Sequence, residues 1–97
     1  GFSREDPTLK KIKEKFKKTL EKDLKVILVT HAPPYETKLD FLIQSDHVGC
    51  KTITEFITDI HPVLVISGHL HENFGKKDII NKTLLINPGP EGKIINI

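Results

Sequence analysis

The sequence predicts an α/β domain, and three observations predict it. Lys25-Val26-Ile27-Leu28-Val29-Thr30 and Val63-Leu64-Val65-Ile66-Ser67 are short apolar runs without polar alternation, the pattern of strands covered on both faces. Between them Ile53, Phe56, Ile57 and Ile60 recur at helical spacing. Strand, helix, strand at these lengths makes a parallel pair with a right-handed crossover. The 97 residues are enough for one domain and too few for two.

The remaining elements follow in order. Asp6 is a good N-cap and Pro7 suits the first helical position, so a helix is expected over 7–22. Its apolar stripe is Leu9, Ile12, Phe16 and Leu20. The first strand ends at Pro33 and Pro34, and a loop runs on to about Val48. A loop this long in a small domain is more often functional than structural. The second helix is expected over 49–60 and stops before Pro62. Asp78-Ile79-Ile80 and Thr83-Leu84-Leu85-Ile86 flank Asn81-Lys82 and predict a hairpin. Asn87-Pro88-Gly89-Pro90 is a hard stop, and Gly92 to Ile97 reads as a last strand.

Composition narrows the class. Apolar residues make up 37% and charged residues 29%, as in ordinary globular proteins. No apolar run is long enough to span a membrane. The segment Gly1-Phe2-Ser3-Arg4-Glu5-Asp6 has no apolar core and predicts no signal peptide. Cys50 is the single cysteine, so no internal disulfide forms and a cytoplasmic location is expected. Lysine greatly outnumbers arginine and isoleucine is abundant, a bias of AT-rich or heat-loving sources. Lys10, Lys11, Lys13, Lys15, Lys17, Lys18 and Lys22 outweigh Glu14 and Glu21 in the first helix. That stripe has no arginine and only Phe16 as an aromatic, so it reads as a solvated face and predicts no nucleic-acid partner.

The chemistry sits at two strand ends. His31 follows the first strand directly, and His69 follows the second after Gly68. Reacting groups collect at the carboxyl ends of parallel strands, and two paired strands would bring these residues together. His71 lies two residues on. An extended backbone there would send His69 and His71 to opposite sides. One histidine at a strand end is ordinarily solvated or satisfied. Three of the five histidines at two strand ends make a metal site an equal alternative. Gly68 is expected to let the backbone turn tightly before them.

These residues also match a family. Thr30-His31-Ala32-Pro33-Pro34-Tyr35, Ser67-Gly68-His69-Leu70-His71 and Ile86-Asn87-Pro88-Gly89-Pro90 together resemble the C-terminal half of a calcineurin-like metallophosphoesterase of the small prokaryotic branch. The resemblance covers about 24 to 97. It implies the C-terminal half of a four-layer αββα sandwich, so the chain is expected to be a single partial domain over 1–97. It implies a metal-dependent phosphoesterase, hydrolysing phosphomonoesters or phosphodiesters at a binuclear centre. His31 and His69 would ligate one ion and His71 the other. The two divalent ions would be manganese first, with iron, zinc or nickel as alternatives.

The family's earlier ligand motifs, Asp-x-His, Gly-Asp and Gly-Asn-His, do not occur here. The N-terminal metal-binding half is therefore expected to be absent, and the isolated chain to hydrolyse little. The lack of any methionine fits a chain beginning in mid-fold. The expected partners are a phosphoester substrate and either an N-terminal half or a second copy of the chain. A scaffold with the same fold is the non-catalytic alternative.

Other residues have two readings each. His47, at the mouth of the second helix, is a substrate contact or a helix-entry residue. Tyr35 lines the pocket or is an exposed loop aromatic. Asn87 contacts substrate or shapes the turn beside the metal site. His61, before Pro62, reads as structural, and Cys50 as buried packing.

Overall fold

A computed structural model describes residues 5–19, 24–43 and 46–96. Helix α1 spans Pro7–Thr19 and helix α2 spans Lys51–Ile60. Among the described residues the strands are β1 Ile27–Thr30, β2 Phe41–Leu42, β3 Asp46–His47, β4 Leu64–Ser67, β5 Lys77–Ile80 and β6 Thr83–Ile86. A short 3-10 turn, His71–Asn73, follows β4.

The main sheet has the order β1-β4-β6-β5. β1 and β4 are parallel, as are β4 and β6, while β5 and β6 form the expected antiparallel hairpin. Asn81 takes φ 54° in its turn, a left-handed position that asparagine tolerates better than most residues. β2 and β3 form a small antiparallel ribbon inside what reads as loop. The architecture is mixed α/β with a mostly parallel sheet, as predicted.

The core lies between α2 and one sheet face. Ile53 and Ile57 of α2 meet Val65 and Leu85, and Leu28 and Ile80 pack at the margin. Cys50 is buried among them, as expected, and Leu39 reaches in from the loop. α1 lies on α2 through stacked Phe16 and Phe56, ring centroids 6.3 Å apart. The Asp6 cap forms as predicted, with the Leu9 amide donating to Asp6 Oδ1 at 3.1 Å. His61 ends α2 at φ 56°, its amide donating to Ile57 O. It leaves the right-handed helical region as the following proline requires, but into the left-handed region.

Four expectations change. Ile12 is 53% exposed; the docked stripe is Leu9, Lys13 and Phe16. The aliphatic stem of Lys13 covers apolar surface while its ammonium reaches Asp59 at 2.8 Å, so a lysine takes the place read for isoleucine. β1 is covered on one face only. Ile27 and Val29 are 44% and 69% exposed, because helices pack on the Leu28 and Thr30 side. Residues 92–96 form no strand. Ile94 is 96% exposed, so that segment lacks the packing and pairing a strand needs. The second helix begins at Lys51, because Cys50 in extended conformation serves as its N-cap. The predicted last turn of α1, with Leu20, lies outside the described residues.

Candidate metal centre

The parallel register sets Thr30 beside Ser67, so the chain leaves β1 and β4 at the same level. His31 is one residue past that rung and His69 is two past it. The Gly68 amide donates to His31 O at 3.1 Å, fixing the two exits against each other. Below them, Thr30 Oγ1 and Ser67 Oγ are 2.9 Å apart.

His69 takes φ 70°, so the left-handed residue here is the histidine and not Gly68. A non-glycine residue held there costs about 1 kcal/mol or more, and such strain concentrates at functional sites. The twist turns His69 Nδ1 to within 2.7 Å of His31 Nε2. The rings meet edge to face, centroids 4.7 Å apart, with one imidazole N–H donating to the other ring. The predicted pairing of His31 with His69 is therefore present in the fold.

His71 opens the 3-10 turn, its ring 5.0 Å from that of Phe74. The backbone is not extended at His69, and both histidines line one cleft of about 600 Å³ with His31, Phe74 and Asn87. Asn87 is buried. Its Nδ2 donates to Leu70 O at 3.1 Å, and its Oδ1 accepts from the Gly89 amide at 3.2 Å. Its backbone N–H donates to Lys76 O at 3.0 Å, and its carbonyl accepts from the Gly75 amide. Asn87 thus ties the histidine loop to the Pro-Gly turn.

The other two candidates lie elsewhere. Tyr35 and His47 stand ring to ring at 6.0 Å, and His47 lines a separate cavity that shares no residue with the histidine cleft. The structure brings His31, His69, His71 and Asn87 together, and Tyr35 and His47 together.

Asp40 is the residue that sequence reasoning missed. It is fully buried, and its carboxylate accepts four bonds. The donors are the amides of Glu36, Thr37 and Gly49, at 2.9–3.0 Å, and His47 Nδ1 at 2.6 Å. A lone aspartate between Leu39 and Phe41 carries no motif. Its partners gather only when the loop closes.

Facing imidazoles suit a divalent transition metal. Among the described residues no three His, Cys, Asp or Glu side chains form a group that could hold an ion. The donor set therefore fits part of a site: a pair, with a third histidine at the edge of the same cleft.

A family model described as metallophosphoesterase, calcineurin superfamily, matches residues 8–93. The chain belongs to that superfamily. An uncharacterized protein of Methanocaldococcus jannaschii is 38% identical over 79 residues, covering 76% of this chain and 36% of that protein. One crystal structure superposes with a TM-score of 0.60 at 22% identity, covering 78% of this chain and 28% of the other. The metallophosphoesterase chain thus spans little more than a third of its curated relative.

Proposed function

We propose that this chain supplies the C-terminal histidine ligands of a metal-dependent phosphoesterase centre. The observation that carries the reading is the 2.7 Å approach of His69 Nδ1 to His31 Nε2 across adjacent strand ends. Membership of the superfamily supports metal-dependent hydrolysis as its general chemistry. His31 and His69 would hold one divalent ion and His71 a second, manganese being the first expectation. Such ions supply a nucleophilic water at neutral pH and offset charge on phosphate oxygens.

The chain's own residues build the platform for that chemistry. Thr30 and Ser67 hold the strand ends in register. Asn87 fixes Leu70 O, and so the loop between the two histidines. Phe74 walls the cleft beside His71. Among the described residues that line the cleft none is a carboxylate, and a further segment would bring those that a pair of ions needs.

The second sheet face, where Leu64 and Ile86 are buried but the outer strands are exposed, suits that segment. Ile27, Val29 and Ile79 share it with Ile66 and Leu84, and Ile79 is 64% exposed. The M. jannaschii relative is nearly three times as long as the matched region, which leaves room for a second sheet there. The occupant is read as an N-terminal half, in one longer chain or as a partner, in preference to a second copy. The buried reduced Cys50 suits the cytoplasm. Among the described residues no helix is long and apolar enough to cross a membrane.

His69→Ala in the complete protein tests the reading. Manganese-dependent cleavage of bis-p-nitrophenyl phosphate should fall by more than about 100-fold, with lost metal occupancy. Full turnover and full occupancy in that variant would overturn it. The isolated chain should turn over little.

A further inference from the structure

A second cavity, of about 550 Å³, lies between the 36–41 segment and the start of β5. We propose that it binds a phosphate group, apart from the histidine cleft. Three lysines line it: Lys38 from the loop, and Lys76 and Lys77 from the entry to β5. Among the described residues none of the three makes an ion pair. The carboxylates on the lining are Glu36 and Asp78, so the wall is net positive. Asp78 is engaged by backbone: Oδ2 accepts from the Lys38 amide at 2.9 Å and Oδ1 from the Ile79 amide at 2.8 Å. The first of these bonds pins the lysine-bearing loop to the lysine-bearing strand.

The floor is equally fixed. Buried Asp40 gathers the Glu36, Thr37 and Gly49 amides and holds His47 by Nδ1. His47 lines the cavity with its side chain 31% exposed. Phe41, 5.4 Å from the His47 ring, adds an exposed aromatic wall. The ammonium groups of Lys38, Lys76 and Lys77 suit phosphate oxygens through charge-assisted bonds. The aromatic wall suits an organic phosphate bearing a ring.

Amide NMR titration of the metal-free 97-residue chain at constant ionic strength tests this, and its outcome is independent of any phosphoesterase activity. Inorganic phosphate and phenyl phosphate are the two probes. Saturable shifts are expected at Thr37, Lys38, Lys76 and Lys77. The Lys76→Ala/Lys77→Ala double variant should bind about tenfold or more weakly. A Lys11→Ala/Lys15→Ala control on exposed α1 should bind as the parent does. Tighter binding of phenyl phosphate assigns the site to organic phosphates, and equal binding assigns it to free phosphate. Shifts that do not saturate, or equal weakening in the α1 control, would overturn the proposal.

Discussion

The hydroxyls of Thr30 and Ser67 meet at 2.9 Å on the last rung of the parallel β1–β4 pair. Thr30 Oγ1 donates to Ala32 O at 2.7 Å, so Ser67 supplies the shared proton. The bond sits directly beneath the residues that carry His31 and His69. Ser67→Ala should cost about 1 kcal/mol in urea unfolding. If His31 and His69 hold an ion as proposed, it should also weaken zinc binding by about tenfold through the strand ends that carry them. Equal zinc affinity in the two proteins would make the bond structural only.

Gly49 leaves no room for a side chain. A Cβ there would lie 2.6 Å from Pro33 O and 2.7 Å from the Pro34 carbonyl. The Cys50 amide donates to Pro33 O at 2.9 Å, so the backbone contact is also a hydrogen-bonded one. Gly49→Ala should destabilise the fold by about 3 kcal/mol. Urea denaturation measures it.

Asp40 is a buried carboxylate with four donors. An amide in its place would replace one acceptor oxygen with an NH₂ facing backbone N–H groups. Asp40→Asn should therefore cost about 3 kcal/mol and loosen the 36–49 loop, read as faster amide exchange at Thr37 and Gly49.

Lys13 and Asp59 join α1 to α2 at 2.8 Å, with Lys17 3.8 Å from the same oxygen. The Lys13 hydrogen bond, then its charge, holds the Asp59 carboxyl below the usual aspartate range. The same bond holds the Lys13 ammonium above the usual lysine range. The Asp59 contribution is present above its unfolded value of about 3.9 and is lost as pH falls through the lowered folded value. The Lys13 contribution is present below about 10.4 and is lost as pH rises through the raised folded value. Asp59→Asn should remove both limbs. The effect should be small, because Asp59 is solvent-exposed although Lys13 is buried. Melting temperature against pH for the two proteins checks the sign.

The sequence shows the βαβ unit and the hairpin because continuous β-branched runs and a full amphipathic face leave few alternatives. It shows His31 and His69 because both abut strands whose pairing is predictable. It hides three things. Lys13 takes the buried helix position because its stem is apolar, which polarity patterns do not register. Asp40 acts through partners three to nine residues away that meet only after the loop closes. The apolar run at 92–96 looks like a strand, yet pairing depends on a neighbour that no local pattern reveals.

The most direct test of the central claim is a zinc titration of the chain followed by side-chain imidazole ¹⁵N NMR. His31 Nε2 and His69 Nδ1 should shift together and saturate at one equivalent, ahead of His61 at the far end of α2. Independent shifts at these two histidines, or none while His61 responds, would contradict the account.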